Sequence, residues 1–133
     1  MKDFQYVTPK TLREAVGCLS IHGEKSRILA GGTDLLVQMR GRRYQPEYVI
    51  DVKHIPELSE LSFGNRKGLV IGASVPCIRL YSNTEIAERY PGIMDSASII
   101  GGIQIQGRAT LGGNLCNSSP SADSTPALIA YSA

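Results

Sequence analysis

Residues 27–40 read RILAGGTDLLVQMR, and the pattern changes twice inside this stretch. RILA is a short apolar run of the kind that forms a buried strand. LLVQMR suits a helix, and GGTD between them is turn chemistry. Thr33 or Asp34 is expected to cap the helix start, because a short polar side chain can accept from the free first-turn amides. A strand, a glycine turn and a helix in succession place the chain among mixed folds rather than all-helical or all-strand ones.

Upstream, Phe4 to Val7 reads as a short extended entry. TLREAVGCLSIHG then fits a helix: Thr11 and Glu14 form a capping box, Leu12, Ala15, Val16 and Leu19 recur at helical spacing, and Gly23 is a stop. Downstream, YVIDV from Tyr48 to Val52 is a second strand, and ELSF and LVIGA around GNRKG read as a hairpin ending at Ala73. A helix is expected to open at Pro76 to Leu80. Another is expected from a Thr84 cap to Tyr90, stopped by Pro91-Gly92. A third spans Ile93 to Ile100 and ends at Gly101-Gly102. Gln104 to Ser121 has weak periodicity of either kind and reads as irregular. STPALIAYSA resumes a helical pattern with Pro126 in its first turn. The pattern divides into residues 1–53 as a small unit and 54–133 as a second lobe.

The 133 residues are 42% hydrophobic and 20% charged, which suits a folded domain rather than a disordered chain. A net charge of +2 is too balanced to point to nucleic acid, and the RGRR run at Arg40 to Arg43 reads as a solvated loop face. The opening MKDFQYVTPK has no apolar signal core, and no window reaches the roughly 20 apolar residues of a membrane span. The three cysteines Cys18, Cys77 and Cys116 are scattered, which disfavours disulfides, zinc and iron–sulfur ligation in this chain. These features predict a cytoplasmic protein.

The irregular region carries ATLGGNLCNSSPSAD, residues 109–123, with a second Gly-Gly next to short polar side chains. Glycine permits φ > 0 and close backbone approach, and aligned N–H groups at a helix start form an anion nest. GGTD and LGGN together therefore suit a diphosphate, with Thr33, Thr110 and Asn114 as further donors and Asp123 as an acceptor for ribityl or sugar hydroxyls. The plainer alternative stays open: an isolated Gly-Gly pair is a turn or cap more often than a ligand site, Gly101-Gly102 reads mainly as a helix terminator, and Asp34 and Asp123 alone read as caps or surface carboxylates. No G-x-G-x-x-G follows a strand, and GIQIQGRA has Arg108 and Ala109 where a P-loop needs lysine and a hydroxyl. No G-x-S-x-G elbow occurs, and His22 and His54 stand in unrelated contexts. Any chemistry would belong to a bound cofactor.

ILAGGTDLL, YVIDV, IGASV and IGGIQIQGRATLGGNLCNSSPSAD resemble, in register, the FAD-binding medium subunit of molybdenum hydroxylases of the xanthine dehydrogenase and carbon monoxide dehydrogenase type. The resemblance implies an α+β fold of the vanillyl-alcohol oxidase and molybdenum hydroxylase type (the FAD-binding PCMH-type domain), with a small three-stranded lobe and the start of a larger antiparallel-sheet lobe. It implies FAD as cofactor, held by a first loop of Ile28, Leu29, Ala30, Gly31, Gly32, Thr33, Asp34 and Leu35. A second loop would comprise Thr110, Leu111, Gly112, Gly113 and Asn114, with Asp123 on the ribityl chain and Gly101 near the flavin. No catalytic side chain and no metal ligand is implied in this chain. The implied partners are a molybdenum-cofactor subunit and a [2Fe–2S] subunit, with electrons passing through FAD to NAD or another acceptor. Subunits of this family are longer, so the chain is expected to match an N-terminal portion. The competing expectation is a truncated remnant or assembly module that binds partner subunits without flavin.

Overall fold

The computed structural model describes residues 1–64 and 67–133; of the expected GNRKG turn, Asn65 and Arg66 lie outside the described residues. The first half builds a parallel sheet from β1 (Gln5–Val7), β2 (Ser26–Leu29) and β3 (Tyr48–Asp51) in the order β1-β3-β2. Tyr6 pairs with Val49 on one side of β3, and Ile28 pairs with Ile50 on the other. Parallel neighbours need crossover connections. Here α1 (Leu12–His22) joins β1 to β2, and α2 (Thr33–Arg40) joins β2 to β3.

α1 forms where the sequence places it. Thr11 accepts from the Glu14 N–H, the Glu14 carboxylate accepts from the Lys10 N–H, and Gly23 ends the helix at φ 49°. The start of α2 differs from expectation: neither Thr33 nor Asp34 caps it. Gly32 is the N-cap at φ 80°, with no side-chain bond to the first turn, and Thr33 is already helical. The left-handed turn at Gly32 lets the chain enter the helix directly from β2.

The second half contributes the antiparallel pair β4 (Leu61–Gly64) and β5 (Gly68–Ile71), with Leu61 opposite Ile71. Short helices follow: α3 (Cys77–Tyr81), α4 (Thr84–Arg89), α5 (Pro91–Ser98), α6 (Ile103–Gln106), α7 (Leu111–Cys116) and α8 (Ser124–Ala130). Three expectations are corrected here. Asn83, not Thr84, caps α4 by accepting from the Ile86 N–H. Pro91-Gly92 opens α5 instead of merely stopping α4, since proline at N1 lacks only an amide that would be unpaired anyway. The stretch 104–121 is not wholly irregular, because it contains the end of α6 and all of α7. Gly112 and Gly113 are therefore helical residues.

Ile50, Val52, Ile55 and Ala15 form one buried cluster, and Leu29, Met39 and Val49 form another on the parallel sheet. The larger cluster joins Val75, Cys77, Leu80, Ile86, Ile93, Ala97, Ile100, Ala109 and Leu111. Burial pushes the Cys77 thiol up to about 11, so this cysteine behaves as a small core hydrophobe. No helix among the described residues is long and apolar enough to cross a membrane.

Candidate functional site

The C-terminal ends of β2 and β3 open onto the second half of the chain. In open parallel sheets this edge is where ligands gather. The first glycine loop leaves β2 there. Leu29 is buried and Leu35 packs beside it against Met39 and Val49, so these two residues anchor the loop. Ile28 is half exposed, Ala30 and Thr33 are partly buried, and Asp34 faces solvent. Among the described residues, the N–H groups of Gly31, Gly32, Thr33 and Asp34 have no protein acceptor. An uncapped first turn leaves up to four amides and the positive dipole end free for an anion.

The second loop is built differently. Thr110 is buried and its Oγ1 accepts from the Gly113 N–H at 2.9 Å, capping α7 from within. Asn114 Oδ1 accepts from both the N–H and the hydroxyl of Ser124, at 3.1 and 2.7 Å, tying α7 to the start of α8. This leaves the Asn114 amide NH₂ as its donor. Leu111 is a core residue, as its apolar character suggests. The Asp123 carboxylate, partly buried just before α8, has no hydrogen-bond partner among the described residues and can accept from a hydroxyl. Thr110→Ala is expected to cost about 1 kcal/mol through the lost cap, readable as a lower urea midpoint with unchanged slope.

The structure brings the two loops together. A Cβ at Gly31 would lie 2.3 Å from the Arg108 carbonyl oxygen and 3.1 Å from Ala109 Cα. Gln38 of α2 donates to Asn117 Oδ1, just after α7, at 3.3 Å. A Cβ at Gly112 would fall 2.6 Å from Ala73 Cα. Gly31 and Gly112 are thus required by the chain's own close packing and Gly32 by its positive φ, while the amides of the first loop have no acceptor among the described residues. Gly101, at φ 60°, lies beyond α5, and a Cβ there would meet Ile105. Ile100 beside it is buried in the core.

Sequence reasoning missed the polar group at the end of β3. Asp51 is 1% exposed and accepts from the Tyr6 hydroxyl, from Lys53 N–H at 3.0 Å and from Lys53 Nζ at 2.7 Å. Burial alone would raise this carboxyl, but the bonds from Lys53 and Tyr6 outweigh it and hold it below the ordinary carboxylate value. The Tyr6 hydroxyl is raised, first by its bond to Asp51, while the nearby Arg108 charge opposes the shift. From the sequence, Asp51 falls only inside the expected strand from Tyr48 to Val52. Its partners come from β1 and from beyond β3, which no local signal reveals.

The family model described as "FAD binding domain in molybdopterin dehydrogenase" matches residues 2–133. The carbon monoxide dehydrogenase medium chain of Hydrogenophaga pseudoflava is 35% identical over 130 residues, covering 98% of this chain and 45% of that protein. The xanthine dehydrogenase FAD-binding subunit of Escherichia coli O157:H7 is 34% identical, covering 97% of this chain and 44% of that protein. In three dimensions, the reconstituted CO dehydrogenase from Oligotropha carboxidovorans superimposes with a TM-score of 0.86 at 32% identity, over 92% of this chain and 43% of that one. The chain therefore spans less than half the length of the relatives it matches.

Proposed function

The chain belongs to the family of FAD binding domains in molybdopterin dehydrogenase, and we propose that it holds FAD at the seam between its two glycine loops. The observation that carries this reading is the open N-terminal end of α2, where the amides from Gly31 to Asp34 have no acceptor among the described residues. A diphosphate satisfies such donors, and the helix dipole adds to its attraction. In this reading Ile28, Leu29, Ala30, Gly31, Gly32, Thr33, Asp34 and Leu35 form the diphosphate loop. Thr110, Leu111, Gly112, Gly113 and Asn114 form the facing wall, Gly101 lies near the flavin ring, and Asp123 accepts from ribityl hydroxyls. Residues 1–53 and 54–133 act as two lobes that close on the cofactor.

When bound, FAD supplies the electron-transfer chemistry, while this chain binds, orients and shields it. The assembly is a dehydrogenase in which a molybdenum-cofactor subunit oxidises the substrate and a [2Fe–2S] subunit relays electrons. NAD or another acceptor then takes them from the flavin. The names of the matched relatives support the class of assembly, and a xanthine-like substrate is our reading of it.

The test is a titration of the chain with FAD followed by flavin fluorescence. Saturable quenching is expected, and Asp123→Ala should weaken it about tenfold, because a lost bond to a charged acceptor is worth ~1.5 kcal/mol or more. Asp123 has no side-chain hydrogen bond to lose among the described residues, so the variant is expected to keep its fold. An absence of quenching in the parent chain would overturn the reading and favour the assembly module without flavin.

A further inference from the structure

A small cleft lies along the interlobe seam beside the first glycine loop. It measures about 280 Å³ and is lined by Gly31, Lys53, Ser74, Pro76, Gly107 and Arg108. That is just under the ~300–1,000 Å³ of pockets that enclose a whole drug-sized ligand. The cleft therefore accommodates a chemical group rather than a dinucleotide.

Its lining is unusual in one respect. Ser74 is 4% exposed, and its Oγ is buried without any hydrogen-bond partner among the described residues. A buried hydroxyl left unpaired costs about 1–3 kcal/mol, so such an atom asks what it normally meets. The residues around it supply the answer in charge. The Arg108 guanidinium is exposed and has no ion-pair or hydrogen-bond partner among the described residues. Lys53 Nζ spends one donor on Asp51 and keeps the others. Asp51 already accepts from Lys53 and Tyr6, so its charge is answered from its own side. Arg108 and Lys53 against Asp51 leave one net positive charge at the mouth of the cleft.

From this juxtaposition we infer that the cleft is a phosphoryl-binding site, formed by the Ser74 hydroxyl, the Lys53 ammonium and the Arg108 guanidinium. A tetrahedral oxyanion offers acceptors in several directions and so matches an arginine fork, a point-charge ammonium and a hydroxyl arriving from different elements. A planar carboxylate would use the fork and leave Ser74 unpaired. Neither glycine motif contains Lys53 or Ser74, so this site extends the flavin loop rather than repeating it. The phosphoryl group has two possible sources: the diphosphate of FAD, which the preceding reading places next to Gly31, or a separate phosphate-bearing molecule.

Inorganic phosphate is the probe. Its affinity for the full chain is measured by calorimetry against chloride at matched ionic strength. Arg108→Gln should reduce it about tenfold and Ser74→Ala severalfold. Without phosphate, Ser74→Ala should be at least as stable as the parent, because it removes an unsatisfied buried group. Repetition in FAD-saturated protein separates the sources. Competition identifies the flavin diphosphate, and undiminished phosphate binding identifies a second ligand; either supports the site. Phosphate acting no differently from chloride, or binding both variants as well as the parent, would overturn it. Failure of FAD alone to bind would leave the phosphate result standing, so the two readings fail separately.

Discussion

Gly31→Ala is expected to destabilise the protein by about 3 kcal/mol, the upper end for overpacking a close contact. The new methyl would sit 2.3 Å from the Arg108 carbonyl oxygen and 3.0 Å from the carbon of the same carbonyl. Both are backbone atoms, so no rotamer change relieves the clash. The strand-to-helix turn and the segment preceding Thr110 must separate instead. Gly31 is not among the glycines with positive φ, so the penalty is steric and not conformational. Urea unfolding measures it, and flavin titration should show affinity falling in parallel, because the same displacement moves the free amides of α2. Gly107→Ala is the matched control: it lines the same cleft, has nothing within 4 Å of a new Cβ, and should change stability by less than about 0.5 kcal/mol. Equal stability of the Gly31→Ala protein and its parent would show that the two loops are not packed as described.

Asp51→Asn is expected to cost about 2 kcal/mol at neutral pH. Breaking a fully buried ion pair costs more, about 3–5 kcal/mol, but Lys53 is 30% exposed and its charge is partly solvated. The pH dependence identifies the cause. The Asp51 carboxyl lies below its ordinary 3.8 in the folded protein. Its contribution is therefore fully present above about pH 4 and is lost as pH falls through the depressed folded value. Parent and variant should differ most near neutrality and converge in acid. For the raised Tyr6 hydroxyl the sign reverses, and its contribution disappears only as pH climbs beyond 10. A parent–variant gap that stays constant into acid would mean that the loss comes from packing and not from charge.

Local chemistry was enough to locate most elements. The capping residues Thr11 and Glu14, the apolar, β-branched run of YVIDV and the apolar runs of the hairpin are written in residues that touch their sequence neighbours. Where two local signals competed, the sequence was ambiguous. Asn83 and Thr84 both make good caps, and Pro91 both ends one helix and begins the next. In residues 104–121 the helices have only four and six residues, too few for apolar residues to recur at i, i+3, i+4 and i+7.

The sequence by itself determined the mixed fold and the glycine turn between β2 and α2, because turn and helix preferences act over a few residues; the second glycine pair proved to be helical. Only the tertiary structure decided why each glycine is there. Gly31 and Gly112 answer to the backbones of Arg108 and Ala73, which are remote in the chain and pressed against them in space. The same holds for Tyr6, Asp51 and Lys53, and for the unpartnered Ser74 hydroxyl. Burial and charge pairing are properties of surroundings, and the surroundings exist only once the two halves of the chain have met.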